Sequence, residues 1–178
     1  IDRLRARHPQ LEIEACSGGG GRADLAILQR VEHVWTSDNT EALDRLGIQE
    51  GFTFAYAPKV MMQLVTDVPD MNDRSTPLQY RFLVGMQGSL GIGANLNRWS
   101  PADSELATRM ITYYKQIRKT VQEGELYRLL SPRDRLANIR QALRHWQQQL
   151  SNTMQTRLLR QQQQLLRLGD AITHLNPE

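Results

Sequence analysis

Asp38 stands directly after Val34-Trp35-Thr36-Ser37, a short run whose residue types predict a strand. A carboxylate at such a strand end can give or take a proton, and in a barrel the C-terminal strand ends are where catalysis takes place. The same residue within Ser37-Asp38-Asn39-Thr40 also has the chemistry of a helix cap, so the position alone leaves both roles open. A second candidate lies upstream, where Leu11-Glu12-Ile13-Glu14-Ala15-Cys16 alternates like a strand and runs into Ser17-Gly18-Gly19-Gly20-Gly21-Arg22. Glycines after a strand can cradle phosphate, form a flexible turn, or let backbone approach a ligand closely. No Lys-Ser/Thr follows them, so the run matches neither the phosphate-loop pattern nor the dinucleotide fingerprint. Trp35 fits a core residue or a stacking wall for a sugar. Cys16 reads as a small buried apolar side chain. His8, His33, His145 and His174 are scattered without metal-ligand spacing, so no metal site and no cofactor is expected.

These residues need elements to hold them. Residues 1–8 read as a helix stopped by His8-Pro9, and a short helix is expected near Asp24, Leu25 and Leu28. A further helix should follow residues 38–40 and end at Gly47. Phe52-Thr53-Phe54-Ala55-Tyr56 is the third strand candidate, broken by Pro58. Residues 58–99 read as mostly loop, with an apolar stretch over residues 80–86 and a glycine-rich turn at Gly88, Gly91 and Gly93. Ser100-Pro101-Ala102-Asp103 has the order of a helix start, and Leu106, Met110, Tyr113, Ile117 and Val121 continue at helical spacing to Gly124. Residues 126–130 look extended. Strand, loop and helix repeat three times, which is α/β alternation around a parallel sheet.

The character changes after Pro132. Residues 133–175 hold one glycine, Gly169, and are rich in Gln, Arg and Leu. Leu136, Ile139, Leu143, Trp146 and Leu150 step by three and four; Met154 and Leu158 interrupt, and Gln161, Leu165, Leu168, Ile172 and Leu175 resume. This is a heptad seam with a stutter, expected to form a long coiled-coil helix that self-associates to bury its stripe. The Arg residues read as a solvated face around the seam, not as a nucleic-acid surface.

The bulk numbers bound the rest. The 178 residues carry a formal net charge of +3, too mild to argue for nucleic acid. A single Cys excludes an internal disulfide, and no signal-peptide pattern is present, so a cytoplasmic setting is expected. No apolar run reaches the roughly 20 residues of a membrane span. The chain opens at Ile1 inside a helical pattern, which reads as a start within a longer gene.

Cys16-Ser17-Gly18-Gly19-Gly20-Gly21-Arg22 followed by Trp35-Thr36-Ser37-Asp38-Asn39-Thr40-Glu41-Ala42 resembles glycoside hydrolase family 36, the bacterial α-galactosidases. The likeness extends through Pro77-Leu78 and Tyr113-Tyr114-Lys115 to Tyr127-Arg128-Leu129-Leu130-Ser131-Pro132. It implies that residues 1–132 are the C-terminal part of a TIM (β/α)8 barrel that cleaves terminal α-galactosides with retention. It places the general acid/base on Asp38, lines the galactose pocket with Cys16 and Gly19, and turns Trp35 toward substrate. Ser17, Gly18, Arg22 and Asn39 take supporting roles.

Retention needs a second carboxylate about 5–5.5 Å from the first. The family's nucleophile lies in a Lys-Trp-Asp motif on an earlier strand, and this chain has no such motif: its first Lys is Lys59. A full barrel takes about 250 residues, so the chain is expected to be a fragment without activity of its own. An opened barrel also exposes strand edges, which predicts aggregation or dimerisation unless something covers them. Residues 133–178 resemble instead the coiled-coil arm of the exonuclease VII large subunit, most specifically at Ile172-Thr173-His174-Leu175-Asn176-Pro177, without that enzyme's nucleotide-handling domains. Two likenesses meeting at Ser131-Pro132 read as a joined reading frame.

Overall fold

The computed structural model describes the backbone of residues 1–175 and the side chains of residues 1–165 and 167. The chain divides into two compact units, Ile1–Pro132 and Arg133–Glu178. In the first unit four strands form one parallel sheet in the order β1-β2-β3-β4: β1 Glu14–Ala15, β2 His33–Trp35, β3 Met61–Thr66 and β4 Ser89–Gly93. Helices occupy every connection: α2 Leu25–Leu28, α3 Ala42–Thr53 and α4 Leu78–Gly85, with α1 Asp2–Arg7 before the sheet and α5 Pro101–Glu123 after it. Sequential parallel strands joined by helices form the α/β arrangement the sequence predicts.

β3 alternates strictly. Met61, Gln63 and Val65 are buried on the helix-covered face, while Met62, Leu64 and Thr66 are half-buried on the other. On the covered face Val65 joins Leu78, Phe82 and Met86 of the α4 region and Ala107, Met110 and Tyr114 of α5. Trp99 meets Phe82 edge-on, with ring centroids 6.4 Å apart. Tyr114 adds directed bonds to this core: its hydroxyl donates to the Gly88 carbonyl at 2.7 Å and accepts from the Leu90 amide at 3.2 Å.

Several sequence expectations change here. Residues 52–56 are not the third strand. Phe52 and Thr53 end α3, and Phe52 meets Tyr56 at 4.9 Å with the i, i+4 spacing of a helix turn. The third strand is Met61–Thr66, inside the stretch read as loop. Its Gln63 interrupts an apolar run, and the buried Gln49 of α3 donates to its Oε1 at 2.7 Å. α3 continues through Gly47 because the buried Gln49 ties its later turns to the sheet, which outweighs the roughly 1 kcal/mol cost of a helical glycine. Residues 78–85 are helical, not loop, with Phe82 at the centre of the core. The glycine-rich turn is strand β4. A Cβ on Gly91 would lie 2.7 Å from Leu64 Cδ2, so glycine here makes room for the neighbouring strand. On α5 the buried tyrosine is Tyr114, one position beyond the predicted Tyr113, which is half exposed.

The helix start at Ser100 forms as predicted. Ser100 Oγ accepts from the Asp103 amide, the Asp103 carboxylate accepts from the Ser100 amide, and Pro101 takes the first position.

In the second unit α6 spans Pro132–Leu175. Its seam residues Leu136, Ile139, Leu143, Trp146, Leu150, Met154, Leu158 and Leu165 are all exposed. The side chains of Leu168, Ile172 and Leu175, and with them the closing motif of residues 172–177, lie outside the described residues. No described helix is long and apolar enough to cross a membrane.

Candidate active site

The parallel sheet brings the two sequence motifs to one rim, because each follows the C-terminal end of its strand. Cys16 comes immediately after β1 and Asp38 three residues after β2. What joins them is the glycine run. Gly18, Gly19 and Gly20 all have left-handed backbones, with φ of 54°, 66° and 99°. A Cβ on Gly19 would stand 2.4 Å from the Asp38 amide nitrogen and 2.9 Å from Asp38 Cγ. One on Gly20 would stand 2.7 Å from the Trp35 carbonyl oxygen. Gly19 and Gly20 are therefore the place where the first loop lies directly against the second, and there only glycine fits both the conformation and the space.

Asp38 is exposed, and its Oδ1 accepts a 3.0 Å bond from the Trp35 indole Nε1. The helix-cap alternative does not hold: Glu41 caps α3, its Oε2 accepting from the Asp44 amide at 2.8 Å. Among the described residues Asp38 Oδ2 has no protein hydrogen bond, so a carboxylate oriented on one side is free on the other. The Arg45 guanidinium sits 5.4 Å from the Trp35 ring centroid and donates to Thr36 Oγ1. Burial pushes the Arg45 guanidinium down to about 10. A cation over the ring and a hydrogen bond at the indole edge together fix Trp35.

Asn39 organises the turn between Asp38 and α3. Its Oδ1 accepts from the Glu41 amide at 3.0 Å, its Nδ2 donates to Asp44 Oδ2 at 2.9 Å, and its own amide donates to Ser37 Oγ at 3.1 Å. The Ser17 carbonyl closes the first loop by accepting from the Gly21 amide at 2.8 Å.

Gly19, Trp35, Asp38 and Asn39 thus form one connected group, with Ser17, Gly18 and Gly20 shaping the loop against it. Cys16 and Arg22 lie on that loop, and neither makes a hydrogen bond to Trp35 or Asp38 among the described residues. Cys16 is exposed, not buried as its residue type suggests, because it leaves the sheet one residue after the last β1 pair. Sequence reasoning missed Glu41, Asp44, Arg45 and Arg74. Arg74, from the β3–α4 loop, pairs with Glu41 at 2.9 Å and Asp44 at 2.6 Å. The hydrogen bonds from Arg74 and then Asn39 hold the Asp44 carboxyl below its ordinary value. No cluster of three or more metal-ligating side chains forms among the described residues.

This arrangement has close relatives. The sequence profile of the melibiase family matches residues 1–124. The chain belongs to the melibiase family. An α-galactosidase of Lactobacillus acidophilus is 39% identical over 130 residues, which are 72% of this chain and 18% of that protein. One from Geobacillus stearothermophilus is 37% identical over 133 residues, 74% of this chain and 18% of that protein. The chain thus spans less than a fifth of the length of these relatives. Solved structures of a Geobacillus family 36 α-galactosidase superpose with a TM-score of 0.71 in a raffinose complex, at 36% identity over 74% of this chain and 18% of that one. In a stachyose complex the TM-score is 0.72, at 36% identity over 75% and 19%.

Proposed function

We propose that residues 1–132 of this melibiase-family chain are the C-terminal part of the catalytic barrel of a retaining α-galactosidase, with Asp38 as its general acid/base. The observation that carries this reading is the junction of the two motifs: Gly19 seated on the Asp38 backbone, and the Trp35 indole on Asp38 Oδ1. An acid/base must hold one orientation while its proton passes to the leaving oxygen of the galactoside and back from water. A carboxylate bonded on one oxygen and open on the other suits that task. Cys16, Gly19 and Trp35 would line the galactose pocket; Ser17, Gly18, Arg22 and Asn39 would shape the loops that carry it.

The chain has no Lys-Trp-Asp sequence, and so no counterpart of the family's nucleophile motif. The purified chain is therefore expected to leave an aryl α-galactoside intact. The role of Asp38 is tested by grafting residues 1–124 into the matching place of the Geobacillus enzyme. The graft should hydrolyse the substrate, and Asp38→Asn should lower turnover by about 10²–10⁴-fold. A graft that folds and turns over equally well with and without this substitution would end the assignment.

A second reading concerns α6 and rests on its exposed seam. We propose that it is a helical assembly element, resembling the exonuclease VII arm, that pairs with a second copy of itself through residues 136–165. Sedimentation of the full chain should show association that rises with concentration and disappears with Leu143→Asp/Leu150→Asp. A monomer at all concentrations would remove this reading.

A further inference from the structure

The β3–α4 loop reaches across to the start of α3, next to the loop that carries Asp38, and Arg74 makes the charged part of that connection. The loop is folded on itself before it does so. The Asp70 amide donates to the Arg74 carbonyl at 2.9 Å, while Asp70 Oδ1 accepts from the amides of Asn72 at 2.7 Å and Arg74 at 3.1 Å. Asp73, at the turn, has a left-handed φ of 55°. The Arg74 backbone is thereby pinned, and its Nη2 bridges Glu41 Oε2 and Asp44 Oδ2.

Both carboxylates matter to the residues next to Asp38. The Glu41 side chain is fully buried, at 0% exposure, and its Oε2 also caps α3. Such a group needs a counter-charge, since an unpaired buried carboxylate is strongly disfavoured. Asp44 Oδ2 accepts from Arg74, from Asn39 Nδ2 and, at 3.3 Å, from Asn72 Nδ2. Glu41 and Asp44 lie three residues apart and would repel without the cation between them. Asn39 is held by both, through the Glu41 amide and the Asp44 carboxylate. Without Arg74, the buried Glu41 loses its counter-charge, Asp44 loses its main reason to face Asn39, and residues 37–41 lose their anchor.

We infer that Arg74 is a positioning residue for Asp38: it bridges Glu41 and Asp44, and through Asn39 fixes the loop in which Trp35 and Asp38 are hydrogen-bonded. The inference rests on the acid/base reading of Asp38 for its meaning, but its test does not depend on activity. The full ¹⁵N-labelled chain has three indole N–H resonances, from Trp35, Trp99 and Trp146. Trp35→Phe identifies the first, and Asp38→Ala gives the displacement that accompanies loss of the Trp35–Asp38 bond. Arg74→Met is expected to move the Trp35 resonance by at least half of that displacement. The Trp99 resonance, which reports the Phe82 core, should stay in place, and Arg74→Lys should move Trp35 by a smaller amount.

If Arg74→Met prevents folding, Asp44→Asn decides, because it removes one partner and leaves the Arg74–Glu41 pair in place. It should displace Trp35 in the same direction with Trp99 unmoved. A Trp35 resonance that stays in place in a folded variant overturns the inference. So does equal displacement of Trp35 and Trp99, which would make Arg74 a general prop of the fold. A failed acid/base assignment would appear only in the grafted enzyme's turnover and would leave these resonances as expected.

Discussion

In the first unit Phe82 of α4 is 0% exposed and packs between β3 and α5, whereas in α6 Leu143 and Trp146 are 59% and 70% exposed. Both regions carry apolar residues at regular spacing. The first has covered them by folding a chain back on itself through parallel crossovers. The second has one helix of 44 residues, which has no way to cover its own stripe. The spacing of apolar residues therefore reports that a face will be buried, but the partner that buries it is a separate question. In the first unit that partner is the sheet with its flanking helices; the described seam residues of α6 stay exposed.

The comparison breaks most visibly at Phe82. Phe82→Ala should destabilise the first unit by about 3–5 kcal/mol. Thermal unfolding followed by near-ultraviolet circular dichroism should show early loss of the Trp99 environment, with Trp99 no longer packed on the ring. A loss below about 1 kcal/mol would mean that the covered face is not a packed core.

Gly19→Ala comes next. The left-handed backbone costs a residue with a Cβ about 1–3 kcal/mol, and the added carbon must displace the Asp38 backbone 2.4 Å away. The expected outcome is a lower unfolding temperature together with a displaced Trp35 indole resonance. Unchanged behaviour in both would show that the two loops are not pressed together.

Asp44 gives a smaller, pH-dependent effect. Its carboxyl is held below the ordinary value by Arg74 and Asn39. The unfolded chain thus binds a proton there before the folded chain does, and the group's contribution to stability is present above pH of about 4. That contribution disappears as the pH falls through the lower folded value. Asp44→Asn should flatten this part of the acid limb in unfolding temperatures measured from about pH 6 to about pH 2.5. Glu32 and Asp103, also held below their ordinary values, would keep the remainder of the slope. An acid limb of unchanged steepness would contradict the bridge.

What could be read from the sequence follows the same division. The start of α5 was legible because Ser100, Pro101 and Asp103 act within four residues of one another. The long tail helix was legible because its periodicity is local. β3 was not, since Met61, Met62 and Gln63 are weak strand formers that take this form because β2, β4 and Gln49 surround them. The tyrosine register on α5 slipped by one because Tyr113 and Tyr114 are equally apolar in sequence and differ only in which one meets Gly88. At the site, Gly19, Trp35, Asp38 and Asn39 sit in two short motifs, and the resemblance of those motifs to family 36 singled them out where type and spacing alone left their roles open. Arg74 lies 30 residues from Asp44, in a segment read as plain loop, and nothing local to it names its partners.

The smallest expected effect lies at Trp146 and sharpens the contrast most. In dilute solution a side chain 70% exposed contributes little, so Trp146→Ala should change stability by no more than about 0.5 kcal/mol. If α6 pairs through its seam, the same substitution should gain effect as concentration rises, because the paired form alone buries the indole. Helix melting at several concentrations measures this directly. Parallel curves for the native chain and the variant at every concentration would leave α6 an uncovered helix, and a separation that widens with concentration would put Trp146 inside an interface.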